Sequence, residues 1–596
     1  MLRAALLALA AALTAAPTAA RAAVTYRVTL DERAAHRATV EMTVTGVAAG
    51  GAVELWMPVW TPGAYEMRTW GRNVTPLDAH DGAGRALVLA RSGPSTFRVD
   101  SAGGGGDGTV RLRYRVYAGK LTDDGSHIDG GHALINGSSL FLAVRGQERG
   151  LHELRVTLPA GWRAATALDE DASGWSATSY EALIDAPIEC GRFADATTRA
   201  AGRSVRIVVD GASAVPQKFV DDVARLVEAE TRIAGAPPYH RYVVIVHLAD
   251  EAGRIAALEH AASTSIVVPR VSLADVEAYD ELTYVVAHEL FHAWNAKVLR
   301  PAELVPYDLS RAQPSRSLWI TEGLTEYFAH RAMVRAGRWS RADWFAHVGD
   351  EAERAFAAAR LGGSVEDAAA LTWQPPDEGA GDEDAYYARG HLVALGVDAA
   401  MRAGSGGRHG LDEAMRALVA EAERGGGILP VDADRLARAV DAIVPGVGAK
   451  LLRWARGGDE AAAIAESLGA VGLSLACKQS AARTVAGFAG EREPPAGGLR
   501  EELRVIVVGD GGPADLAGLK AGDRILTLDG AAPTARWPDA IAQKAAGAVV
   551  TLGVVRGKRQ LVLHLTLEPE RDTTCKLAAA PATPAIAKLR DQLLTP

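Results

Sequence analysis

From Thr25 to about Val209 apolar and polar positions alternate in short runs. "TYRVTL", "ATVEMTV", "AVELWMPVW", "TVRLRYRVY", "LFLAV" and "HELRVTL" alternate or cluster their β-branched and apolar residues, with Gly and Asp between the runs. A period of two predicts strands with one buried face. So many in succession predict an all-β domain, a sandwich that scaffolds and walls a cleft. The period then lengthens. "PQKFVDDVARLVEAETRIAG" repeats its apolar residues at helical spacing, "RYVVIVHL" reads as a short buried strand and "LEHAASTSIVV" as another. Helical spacing holds through "VVAHELFHAWNAKVLRP", "TEGLTEYFAHRAMVRAG", "GHLVALGVDAAMRAG", "LDEAMRALVAEAERG" and "VDADRLARAVDAI". The middle of the chain is therefore an α+β core grading into an all-α part. Strand patterns return in "LRVIVVGDGGPADLAGLKAGDRILTLDG" and "AVVTLGVVRGKRQLVLHLTL", a smaller β module that also holds the Gly/Glu/Pro-rich "AGFAGEREPPAGG". The Ala/Pro-rich tail after Arg571 is expected to be poorly ordered. No repeat of fixed period is present.

Length and composition narrow this picture. A chain of 596 residues holds several domains rather than one, and 48% hydrophobic with 23% charged residues is ordinary for a globular protein. The formal charge of −9 is spread along the chain without long basic runs, which argues against nucleic acid and against an anionic membrane surface. The start, "MLRAALLALAAALTAAPTAARAAV", has one positive residue, an apolar Leu/Ala stretch too short to span a membrane, and a small-x-small site at Ala20-Arg21-Ala22. It reads as an export signal, and the expected location is secreted or periplasmic. Three cysteines, Cys190, Cys477 and Cys575, do not make a disulfide scaffold. Cys477 and Cys575 bracket the C-terminal module, and their spacing leaves pairing open.

The chemistry lies in "VVAHELFHAWNAKVLRP". Residues i and i+4 share a helix face, so His288 and His292 present two imidazoles to one point, as a tetrahedral zinc requires. Glu289 is turned about 100° around the axis, placed to flank the metal and take a proton from water whose pKa the metal lowers. The H-E-x-x-H spacing is a known zinc-protease signature that also arises by chance. A third ligand is sought in "SLWITEGLTEYFAHR", where Glu322 lies 30 positions after His292 and Glu326 one turn further. Spacing alone does not choose between them. The loop "DDGSHIDGGH" puts His127 and His132 among carboxylates, but its glycines favour a polar turn over a second metal site.

"HELFHAWN" followed by "LWITEGLTEYF" resembles the gluzincin peptidases, the clan of aminopeptidase N and leukotriene A4 hydrolase. The resemblance implies that Glu322, of the "EG" pair, is the third zinc ligand and leaves Glu326 a supporting role. "LWMPVWTPGAYEMRTWGRNV", "SYEALIDAPIECGRF" and "HELFHAWNAKVLRP" resemble the glycyl aminopeptidase family, whose members often carry a PDZ domain, over nearly the whole mature chain. "ALEHAAS" is similar to that family's Gly-Leu-Glu-His strand, with Ala257 in place of glycine, and implies that Glu259 binds the substrate's α-amino group. "YYARGHLVAL" is similar to the clan's Tyr-x-Lys-Gly segment, with Arg389 in place of lysine; alignment to Gly390 makes Tyr387, rather than Tyr386, the oxyanion hydrogen-bond donor. From about Val471 the chain resembles a bacterial PDZ domain, with "VGLSL" similar to its carboxylate-binding loop. Such a domain takes a peptide C-terminus as an added strand.

The expected architecture is multidomain: signal peptide 1–22, N-terminal all-β sandwich 23–203, thermolysin-like α+β catalytic domain 204–345, α-helical domain 346–465 completing the active site, PDZ domain 466–570 and tail 571–596. The expected activity is that of an exported aminopeptidase with one catalytic Zn2+, removing Gly or Ala from peptides with a free N-terminus. The rivals are an endopeptidase on the same scaffold and a catalytically inactive PDZ adaptor. No nucleic-acid partner and no stable membrane span are expected.

Overall fold

A computed structural model describes residues 23–594 except 49–50, 101–107, 173, 250–254, 360–362, 374–384, 458–459, 480–482, 494–501, 509–511, 535 and 571–572. The expected signal peptide 1–22 lies outside the described residues. The chain forms two compact units, Met1–Val298 with Leu304–Gln313, and Leu299–Glu303 with Pro314–Pro596.

In the first unit the alternating runs form strands with one-sided burial, as in Arg37–Val44, where every second residue is buried. The sandwich expectation needs one amendment. Eleven of its strands are hydrogen-bonded into one sheet, in which a group containing Ala52–Trp56, Thr96–Asp100 and Ala86–Arg91 continues into Val74–Asp81, Val110–Tyr117, Arg37–Val44 and Ala23–Glu32, while Arg163–Ala165, Ile188–Gly191, His132–Ile135 and His127–Ile128 form a separate sheet of four. The join is narrow, with Ala79 opposite Leu87 and His80 opposite Ala86. Sheets of more than about ten strands stay in register only by curling or splitting, and a short join is where a sheet can fold over.

The C-terminal part of this unit is built on a five-stranded sheet in the order Ala194–Ala200, Arg203–Asp210, Arg241–Ala249, Ser263–Pro269, Ala256–Glu259. Arg203–Asp210 and Arg241–Ala249 run parallel, so the chain must cross over between them, and the amphipathic helix Gln217–Ala234 makes that crossover. Ala256–Glu259 is a short antiparallel strand at the sheet's end. Helix Val276–Phe291 follows, its N-terminus capped by the Asp275 side chain, which accepts from Ala278 N–H.

The second unit carries the helices, beginning with Leu318–Arg335, and ends in a five-stranded β module in the order Phe488–Glu493, Glu502–Val508, Arg524–Leu528, Val549–Arg556, Arg559–Thr566. Its core is made by Leu503, Val505, Ile525, Val550, Leu552 and Leu565. Two expectations fail here. The tail is structured: Thr573–Ala579 is a strand paired with Leu473–Gln479, and helix Pro584–Leu594 buries Leu593 and Leu594. A disulfide joins Cys477 to Cys575, and Cys575 N–H donates to the Glu353 carboxylate at 2.8 Å. Because Leu473–Gln479 is taken up in that pair, "VGLSL" is not the loop beside the module's groove. The turn Ala486–Gly487, between strands Arg483–Val485 and Phe488–Glu493, instead lines a cavity of about 310 Å³ together with Val485, Phe488, Trp537 and Ile541.

Candidate active site

Helix Val276–Phe291 ends at the site. His288 stands in its last turn and His292 is its C-terminal cap. The i, i+4 spacing brings the two rings to a centroid separation of 4.6 Å and the two Nε2 atoms to 2.9 Å, both residues being buried. Two Zn–N bonds of about 2.0–2.1 Å at a tetrahedral angle would set the nitrogens about 3.3 Å apart. The pair is therefore close to ligand geometry without an ion. His292 Nδ1 lies 3.1 Å from the Asn295 carbonyl. A carbonyl only accepts, so Nδ1 carries the proton and Nε2 keeps its lone pair. The donor chemistry fits zinc.

Three carboxylates stand around this pair within the first unit. Glu289 and Glu259 are both buried, and ligand atoms of Glu259, Glu289 and His292 lie within 4.8 Å of one another. The Tyr242 hydroxyl donates to the Glu289 carbonyl at 3.4 Å, tying the end of the helix to the strand Arg241–Ala249. The third is Glu230, fully buried on helix Gln217–Ala234. Burial pushes its carboxyl well above the usual range, opposed by the nearby His292.

Glu259 is held from two sides. Lys297 Nζ lies 3.8 Å from its Oε1 and 3.0 Å from Asp185 Oδ1. Asp185 also accepts from Ala261 N–H at 2.9 Å and stands 3.2 Å from His260 Nδ1. Burial opposes charge on both, but Lys297 with His260 holds Asp185 well below the ordinary carboxylate range, and Asp185 with Glu259 holds Lys297 above its own. Lys297 is thus shared between two carboxylates. On the other side stands Gly63, at φ +108°, where a Cβ would come 2.7 Å from Glu259 Cδ. Only glycine adopts this backbone freely and leaves the carboxylate its space.

Gly63, Asp185, Lys297 and Glu230 carry no role in the sequence reading. The first three do fall inside "TPGAY", "ALIDAP" and "NAKVLRP", stretches that the family resemblance already marked. Glu230 was hidden among the polar positions of an amphipathic helix.

Glu322 and Tyr387 belong to the second unit. Glu322 is buried near the start of helix Leu318–Arg335, and Tyr387 is half-buried at the start of helix Ala385–Ser405. These two helices touch at glycine: a Cβ on Gly323 would lie 2.5 Å from the Gly390 carbonyl carbon, and one on Gly390 would lie 2.9 Å from Gly323 Cα. The "EG" and "ARG" glycines thus permit a close helix crossing beside Glu322 and Tyr387. Arg389, standing where the clan has lysine, is buried and donates to the Gly363 carbonyl at 3.1 Å. Glu326 is grouped with His330 and Glu351, ligand atoms of the three lying within 4.8 Å of one another.

Residues 25–192 match the M61 peptidase N-terminal domain, 281–393 the M61 glycyl aminopeptidase domain and 504–556 the PDZ domain. No curated protein matches the chain. Among solved structures, an aminopeptidase N family protein from Idiomarina loihiensis is 24% identical, with 96% of this chain and all of that one covered and a TM-score of 0.80. An M1 zinc metallopeptidase from Deinococcus radiodurans is 17% identical over 74% of this chain and 94% of its own, with a TM-score of 0.44. Native yeast LTA4 hydrolase is 12% identical over 72% and 66%, also with a TM-score of 0.44. The first of these establishes the fold, and the other two add nothing to it.

Proposed function

The chain belongs to the M61 glycyl aminopeptidase family of zinc metallopeptidases, and from that premise we propose that it removes small N-terminal residues from peptides at the site around His288 and His292. The convergence of Glu259, Glu289 and His292 beside the paired imidazoles carries this reading. His288, His292 and Glu322 hold one zinc ion. Glu322 is preferred to Glu326 because the Glu326 carboxylate is grouped with His330 and Glu351. Bound there, zinc supplies Lewis-acid chemistry, acidifying water and polarising the scissile carbonyl.

The protein's own groups do the rest. Glu289 takes the proton of the attacking water and returns it to the leaving amine. Tyr387 donates a hydrogen bond to the developing oxyanion. Glu259 pairs with the substrate's α-ammonium, and as the last residue of an end strand it also favours an extended peptide laid alongside. The family implies the preference for Gly or Ala, and the N-terminal sequence implies export to a periplasm or beyond. Among the described residues no helix is long and apolar enough to cross a membrane. The turn Ala486–Gly487 and the cavity beside it are the place for a peptide C-terminus at the PDZ domain.

The test is turnover of glycyl- and alanyl-anilides beside their N-acetylated forms, with Glu289→Gln run in parallel. The free-amine substrates should be cleaved and the acetylated ones spared. Glu289→Gln should bind zinc normally and lose on the order of 10²–10⁴ in kcat. Equal cleavage of both substrates identifies an endopeptidase, and zinc-free protein without turnover identifies an adaptor.

A further inference from the structure

The loop read as a polar turn is a buried hairpin, and it faces a second set of metal-binding groups. His127–Ile128 and His132–Ile135 are paired strands, and Ile188–Gly191 lies on the other side of His132–Ile135. Leu134 is opposite His127 on one flank and opposite Glu189 on the other. Directly paired residues share a face, and so does a residue two positions along, so His127, His132 and Glu189 all project from one side of this sheet. From the five-stranded sheet, Asp210 and His247 are register partners on adjacent parallel strands and likewise share a face. The two faces meet. The His132 and His247 rings are 5.3 Å apart, and those of His127 and His132 are 4.9 Å apart.

The contacts inside the cluster leave donors unused. His132 Nδ1 is 3.2 Å from Glu189 Oε1, which turns Nε2 toward Asp210 Oδ2 at 3.8 Å. His247 is only 1% exposed, yet neither ring nitrogen has a hydrogen-bond partner, and its Nε2 points at Glu189 Oε2 across 3.8 Å. His127 Nε2 faces Asp129 at 3.4 Å, and its Nδ1 is also unpartnered. Among the described residues no lysine or arginine pairs with Glu189, Asp129 or Asp210. A buried imidazole with both nitrogens idle is expensive, and three carboxylates facing histidines alone favour a cation.

We propose that His132, Asp210 and His247 bind a divalent transition-metal cation, with zinc as its representative, at a site separate from the H-E-x-x-H helix. Ligand atoms of these three lie within 4.8 Å of one another, and His127, Asp129 and His132 form a second such trio on the same ring. Mixed imidazole and carboxylate donors suit zinc and its first-row neighbours rather than calcium or magnesium. Glu189 holds the His132 ring by its Nδ1 proton, the arrangement in which a carboxylate orients a ligating histidine.

The experiment uses the full-length chain carrying His288→Ala and His292→Ala, which removes the imidazoles of the H-E-x-x-H helix. After chelation and equilibrium dialysis against Zn2+ or Co2+, bound metal is measured by plasma mass spectrometry and by the visible spectrum of Co2+. About one equivalent should remain, and adding His132→Gln with His247→Gln should abolish it. If those buried changes prevent folding, judged by circular dichroism, Asp210→Asn at the cluster's more accessible edge carries the test and should weaken binding about tenfold or more. No bound metal in the His288→Ala/His292→Ala protein overturns the proposal. So does a full equivalent, or unchanged affinity, after the cluster substitutions.

Discussion

Replacing Gly323 by alanine adds a single methyl to the helix crossing that positions Glu322. That methyl would stand 2.5 Å from the Gly390 carbonyl carbon and 2.8 Å from His391 N. Both are backbone atoms of a second helix and cannot rotate away. Ordinary carbon contacts begin near 3.5 Å, so the helices must part locally by about 1 Å. Overpacking of this kind costs about 1–3 kcal/mol, and the better helix propensity of alanine returns up to about 1 kcal/mol. The net loss is thus about 1–2 kcal/mol, tolerable for folding. Function is more exposed, because Glu322 is the adjacent residue. A displacement near 1 Å at a reacting constellation costs on the order of 100-fold. Gly323→Ala should therefore fold, bind zinc at least about tenfold more weakly by equilibrium dialysis, and turn over an alanyl-anilide on the order of 100-fold more slowly. Gly425→Ala is the control, since a Cβ at that helical glycine meets nothing within 4 Å. If Gly323→Ala keeps wild-type zinc affinity and kcat, the crossing does not set the ligand and the reasoning is refuted.

Two further outcomes follow from the Glu259 environment. Glu259→Gln removes the carboxylate proposed to face the substrate ammonium, so KM for free-amine substrates should rise by about 2–3 kcal/mol in binding terms. The discrimination against N-acetylated substrate should shrink with it, and steady-state kinetics on both substrates would expose a wrong assignment through an unchanged ratio. Lys297→Met leaves Asp185 buried without its cation, a loss of about 3–5 kcal/mol at pH 7. The depressed Asp185 contributes stability that is complete above its unfolded value near 3.9 and is lost as pH falls through the lower folded one. The raised Lys297 contributes stability that is complete below about 10.4 and is lost as pH rises through the higher folded one. Wild type should therefore hold a plateau from about pH 4 to 10, and the Lys297→Met deficit should narrow in thermal melts at pH 3. An equal deficit at pH 3 and pH 7 would rule out charge as its cause.

What the chain discloses in advance depends on how far apart the interacting residues are. The H-E-x-x-H helix is legible because its meaning is contained in one turn: spacing fixes the face, and the face fixes the pair of nitrogens. The glycines at 323 and 390 are half legible. Each stands in a motif, but why they are glycine becomes clear only when two helices separated by more than 60 residues are seen to touch. The tail misleads by composition, since "TTCKLAA" is a strand only because it pairs with Leu473–Gln479 and is joined to it through Cys575. "VGLSL" and "VAGF" are short apolar runs of the same texture, and only their partner strands distinguish a pairing strand from a loop beside a groove.

The histidine cluster is the limiting case. "RYVVIVHL" reads as a buried strand and "DDGSHIDGGH" as a turn, and neither pattern says which sheet another sheet will meet. Nothing in "RYVVIVHL" marks its histidine, His247, and it is the fold that leaves both its nitrogens without hydrogen-bond partners. Pattern therefore recovers chemistry written within one element. Chemistry written across two sheets has to be inferred from polar groups that burial leaves unsatisfied, because a folded chain rarely tolerates that cost without a use for it.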